Sequence, residues 1–74
     1  MTTQEIQRLG SAKPFEPFRV LTADGQAYDV RHPEYLSQTP SGRLITIGLD
    51  DDSAVTLDLL RVTSIQKPLP QRGR

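Results

Sequence analysis

Cysteine and tryptophan are absent from this chain, and histidine and methionine occur once each. Without thiols no disulfide staples the fold, and a single imidazole excludes a clustered His/Cys metal site, so no cofactor or metal is expected. No stretch approaches the ~20 consecutive apolar residues of a membrane span, and Met1-Thr2-Thr3-Gln4-Glu5 lacks the basic and apolar parts of a leader. The expectation is a cytoplasmic protein without membrane contact. Charge of one sign is not in excess either: nine acidic residues balance nine basic ones. The balance is uneven along the chain, because residues 1–66 hold all nine acids and six bases, while Lys67, Arg72 and Arg74 fall at the end. A body of net negative sign exerts no general pull on nucleic acid. Seventy-four residues suffice for one domain, near the size at which a single core only just offsets the entropy of ordering the chain.

The stretch that is present and informative runs from Pro14 to Arg31. Phe18-Arg19-Val20-Leu21-Thr22-Ala23 and Gln26-Ala27-Tyr28-Asp29-Val30-Arg31 are runs of strand-type residues around Asp24-Gly25, a dipeptide suited to the positive backbone angles of a tight hairpin. Phe18, Val20 and Thr22 share one face, continued by Tyr28 and Val30. Pro14 and Pro17 force the preceding segment to be extended, and Phe15 and Phe18, the only phenylalanines, are expected to plug the core.

Before this hairpin, Thr2-Thr3-Gln4-Glu5 has the form of a capping box, with Met1 and Ile6 at the positions of a hydrophobic staple. A short helix over residues 3–9 follows, stopped at Gly10. After the hairpin, His32 to Gly42 reads as an irregular connection: one helical turn opened by Pro33, then turn formers from Ser37 to Gly42. Strands are expected at 43–49, with Ile45, Ile47 and Leu49 on one side, and at 54–58, with Val55 and Leu57 inward. Asp50-Asp51-Asp52-Ser53 makes the turn between them. Leu59-Leu60-Arg61 breaks the alternation and predicts a tight helical turn, with Leu60, Val62 and Ile65 inward and a last strand at 62–66. Residues 67–74 bury too little to be ordered and form a mobile basic tail.

Five short, bent strands with an N-terminal helix over residues 1–66 describe a mainly β domain, a small five-stranded SH3-like or Sm-like barrel. An OB-type barrel and a flat antiparallel sheet backed by the helix are the competing architectures. At Pro14-Phe15-x-Pro17-Phe18-Arg19-Val20, Asp24-Gly25, Val30-x-His32-Pro33-Glu34 and Leu60-Arg61-Val62-x-Ser64-Ile65 the chain resembles a family of short uncharacterised bacterial proteins, a resemblance that implies no activity. Gly25-Gln26-Ala27-Tyr28-Asp29 and Leu60-Arg61 resemble more weakly two motifs of Sm-like RNA-binding proteins, with Val30 and Val62 where those motifs have glycine. That resemblance implies a topology and, as one option, RNA binding.

Arg31, His32 and Tyr35 bring together a cation, a titratable ring and an aromatic face, the groups that stack and hydrogen-bond a base or a peptide. Arg61, at the last tight turn, is the remaining candidate, for phosphate. Asp50-Asp51-Asp52 reads as a plain acidic turn, since adjacent aspartates seldom converge on one cation. No serine or threonine has an assignable base and acid, so catalytic residues are not expected. The sequence therefore predicts a non-enzymatic binding or assembly module that forms a homo-oligomer through unpaired strand edges. RNA or single-stranded nucleic-acid binding, and a peptide-binding adaptor, are the alternatives.

Overall fold

Thr2 opens the helix as its spacing predicts. In the computed structural model, which describes residues 2–69, the Glu5 amide donates to Thr2 Oγ1 at 3.2 Å and the Thr2 amide to Glu5 Oε1 at 2.8 Å. Both halves of the capping box are thus made. The helix, α1, covers Thr3–Ser11, running past the expected stop. Gly10 is inside it because the small residue lets α1 approach Leu36, whose Cδ2 would lie 3.1 Å from a β-carbon there. The Met1 half of the expected staple lies outside the described residues.

Six strands follow among the described residues: β1 Phe18–Thr22, β2 Ala27–Val30, β3 Leu36–Gln38, β4 Leu44–Gly48, β5 Ala54–Asp58 and β6 Val62–Gln66. They form two three-stranded sheets, ordered β2-β1-β6 and β3-β4-β5, antiparallel throughout. The five-stranded closed SH3-like or Sm-like barrel expected from the sequence is therefore not formed. Its ladder is broken where Pro33, which has no amide proton, starts a 3₁₀ turn over Pro33–Tyr35 between β2 and β3. A second 3₁₀ turn, Leu59–Arg61, separates β5 from β6. The extra strand, β3, occupies part of the stretch read as a loop.

Alternation within the strands directs the core. Phe18, Val20 and Val30 from one sheet, Ile45 and Ile47 from the other, and Ile6 from α1 are fully buried in a single cluster, with Leu57 and Phe15 packed against it. Each such side chain contributes roughly 1.5–3 kcal/mol by leaving water, so a domain of this size rests on few residues. The Phe15 and Phe18 rings meet at 5.9 Å between centroids, with Phe15 only partly buried.

The turns explain most departures from expectation. The β1–β2 loop is longer than the two-residue Asp24-Gly25 turn. The Thr22 amide donates to Gln26 O at 3.0 Å, leaving Ala23, Asp24 and Gly25 in the loop. Only Gly25 adopts a positive φ, 84°, so a single glycine suffices. Gly42, at φ 76°, closes the β3–β4 hairpin, its amide donating to Thr39 O at 2.7 Å. At the end of β5 the inward residue is Leu59, 5% exposed, whereas Leu60 is 84% exposed. This reverses the predicted phase, because the Leu59 amide still donates to Arg43 O at 2.9 Å and so keeps the strand's alternation for one more residue.

Of the expected basic tail, Lys67 meets Glu16 at 3.3 Å and the Leu69 amide donates to Pro17 O at 3.2 Å. Arg72 and Arg74 lie outside the described residues. No helix among the described residues is long and apolar enough to cross a membrane.

Candidate functional site

The connection from β2 to β3 places three of the four candidate residues together. His32 precedes the Pro33–Tyr35 turn, and its ring meets Tyr35 edge to face, with centroids 5.3 Å apart at 80°. This is a favourable aromatic geometry. Tyr35 is 36% exposed and its ring lies over Gly48, where a β-carbon would be in van der Waals contact with it. Gly48 therefore serves close packing, and its pairing with Ala54 stays in register without a bulge.

The charges around this pair are mostly negative. Arg31 faces Asp29 at 3.8 Å and Asp50 at 3.9 Å, and Asp29 is held from the other side by Arg19 at 2.7 Å. Hydrogen bonding to Asp29 raises the Arg19 pKa above its ordinary value. A groove of about 380 Å³ beside Tyr35 is lined by Glu34, Asp50 and Asp52 among others. The adjoining hollow, of about 310 Å³, has Tyr28, Asp29, Arg31 and Asp50 along it. One guanidinium already shared by two carboxylates is a poor phosphate site.

Arg61 is not part of this group. Its carbonyl accepts from the Ala23 amide at 2.9 Å, beyond one end of β1, while Arg31 follows Val30, which pairs with Phe18 at the other end. The rise from Phe18 to Ala23 puts these backbone positions roughly 17 Å apart. The sequence offered no way to see this separation, which register alone decides.

In the acidic turn, Asp51 accepts from the Ser53 amide at 3.1 Å and from its hydroxyl, and these bonds lower its pKa. Asp50 faces Arg31, and Asp52 takes a positive φ of 74°. Asp50 and Asp51 thus serve separate local partners.

The unpaired strand edges expected from the sequence include that of β5, an outer strand of its sheet. Leu49 and Leu59 donate from their amides to Ser53 O and Arg43 O, at 2.8 and 2.9 Å. With the β4–β5 register, these bonds fix the odd-numbered residues Val55 and Leu57 as those whose main chain bonds to β4. Ala54, Thr56 and Asp58 consequently turn their amides and carbonyls to the unpaired side. Thr46 and Thr56 hydroxyls meet at 2.9 Å on the exposed face, while Val55 and Leu57 lie half-buried on the other.

The remaining outer strands are guarded in ways native sheets commonly use. β2 carries Asp29 in its ion pairs and runs into Pro33. β3 has three residues and lies beside α1, which shares a groove with Leu36. β6 has a register irregularity in its pairing with β1, is followed by Lys67-Pro68, and shares an apolar groove with α1 through Ile65, Leu9 and Ala12. β5 carries one ion-paired charge, Asp58 at its last position, but holds no proline, and its pairing with β4 keeps register throughout.

Comparison of the chain with protein-family models, with curated proteins and with solved structures finds no match.

Proposed function

We propose that this chain is a non-enzymatic binding and assembly module that associates with its own kind through an open strand edge. The observation that carries the reading is the state of β5: five residues, no proline, no lysine, and three outward-turned peptide groups. An open edge of this kind, with its one charge, Asp58, at the end and already paired to Arg43, is a template for another strand, since the hydrogen bonds it lacks can be supplied by a second backbone. The half-buried Val55 and Leu57 give such a contact an apolar component. Light scattering over a wide concentration range tests the reading: association that reverses on dilution supports it, and a monomer at every concentration refutes it.

A second reading, a peptide-binding adaptor, is favoured by the groove beside Tyr35. Its acidic lining and exposed ring suit a basic peptide, through charge and cation–π attraction. The same lining opposes the oligonucleotide reading of Arg31, His32, Tyr35 and Arg61. Titrating tyrosine fluorescence with a lysine-rich peptide and with a mixed-sequence oligonucleotide separates the two. Saturable response to the peptide alone supports the adaptor; response to the oligonucleotide at moderate salt contradicts it.

A further inference from the structure

We infer that the partner of β5 is β5 of a second copy, antiparallel, with a two-fold axis passing through Thr56, so that two three-stranded sheets become one sheet of six strands. This rests on the assembly reading above and names its surface and register. The parity of the ladder carries it. Because Ala54, Thr56 and Asp58 all face outward, a two-fold axis at Thr56 sets Thr56 against Thr56 and Ala54 against Asp58 as bonded pairs. The same operation places Val55 opposite Leu57 of the other copy on the inner face. Both side chains are left half-buried in one copy, and the pairing closes them over each other.

On the exposed face the Thr46–Thr56 hydroxyl contact extends into a row of four threonines across the junction, a favourable cross-strand arrangement. Charge agrees with the direction. The acidic turn Asp50–Asp52 lies at one end of β5 and Arg61 at the other, and antiparallel pairing brings each turn beside the other copy's Arg61. Asp58 already engages Arg43 at 3.3 Å, whereas Arg61 makes no such pair among the described residues. By contrast, an equivalent axis on β2 at its outward residue Asp29 would oppose two carboxylates, which is destabilising.

The absence of native cysteine makes the test clean. In a Thr56→Cys chain the two-fold register puts the sulfur-bearing residues at a Cα separation of ~5.5 Å, inside the usual disulfide range of ~4.4–6.8 Å. Mild oxidation, or bridging by a short bis-thiol reagent, is expected to give a covalent dimer. Thr56→Pro provides the second arm: its lost amide proton faces outward, so the fold is kept while dimer affinity drops about tenfold or more from two missing bonds. Circular dichroism verifies the fold. If the unmodified chain associates but Thr56→Cys does not cross-link and Thr56→Pro associates as before, this inference fails and the assembly reading stands. Cross-linking only in a mixture of Thr56→Cys with Thr63→Cys, on β6, means head-to-tail pairing and overturns it in the same way. A monomer at all concentrations overturns both.

Discussion

The two sheets have the same number of strands and the same antiparallel order, yet they finish their edges differently. In the β2-β1-β6 sheet the outer strands are flanked by charge, proline and α1: Asp29 of β2 pairs with Arg19 of β1 and with Arg31 just beyond β2, and Lys67-Pro68 follows β6 beside its groove with α1. In the β3-β4-β5 sheet, β3 is short and shares a groove with α1, whereas β5 has only the Asp58–Arg43 pair at its end. The difference teaches that the outer strands are finished unequally: among the described residues, the middle of β5 has neither charge nor proline, and the proposed self-association rests on that.

Removing core from either sheet tests whether they are one cooperative unit, and gives the largest effect. Phe18→Ala in β1 and Ile47→Ala in β4 each cost about 3–5 and 2–5 kcal/mol respectively. A domain of this length holds roughly 4–11 kcal/mol in total. Both variants are expected to lose much of their structure at once, by circular dichroism and by tyrosine fluorescence alike. Loss of one sheet's signals with the other's retained would break the comparison.

The glycines of the two hairpins sharpen it next. Both Gly25 and Gly42 hold positive φ, but a β-carbon at Gly25 meets nothing within 4 Å, whereas at Gly42 it would collide with the Thr3 side chain. Gly25→Ala is therefore expected to cost about 1 kcal/mol from backbone strain alone. Gly42→Ala costs about 2–3 kcal/mol, because Thr3, which donates to the Gly42 carbonyl at 3.3 Å, must also move. Equal losses of Tm would mean that α1 is not anchored at this turn.

The smallest effect is the dependence on pH. Asp58 is held below the usual carboxylate range chiefly by the Leu60 amide, with Arg43 and Arg61 adding to it, and Asp24 by the Thr22 hydroxyl. Asp51 is lowered by Ser53 and Glu5 by Thr2. A carboxylate whose pKa is lower when folded adds stability that is present above its unfolded value, about 4, and is lost as pH falls through the folded one. Tm is expected to stay level from neutral pH to about 5 and to decline below about 4. A Tm that rises on acidification would contradict these assignments.

Much of the fold was legible because its signals are local. The capping box, the alternation in β1, β4 and β5, and both 3₁₀ turns each follow from a few adjacent residues. β3 was not legible: Leu36-Ser37-Gln38 holds one apolar residue, and what makes it a strand is the turn at Gly42, which presents it to β4. Leu59 and Leu60 are chemically alike, so only the added bond to Arg43 decides which turns inward. Closure of a barrel depends on pairing between distant strand ends, and composition carries no such information once Pro33 has interrupted the ladder. The same holds for the candidate site. Sequence proximity united His32 and Tyr35, but the partnership of Arg31 with Asp50 and the distance to Arg61 are set by register and by a turn much later in the chain.

Amide hydrogen exchange at Thr56, followed as protein concentration is raised, tests the central claim most directly. The account predicts that this amide exchanges freely in dilute solution, like any solvent-facing edge group, and becomes protected in step with association, while the Val55 and Leu57 amides are protected throughout. Fast exchange at Thr56 in a sample that light scattering shows to be associated would contradict it.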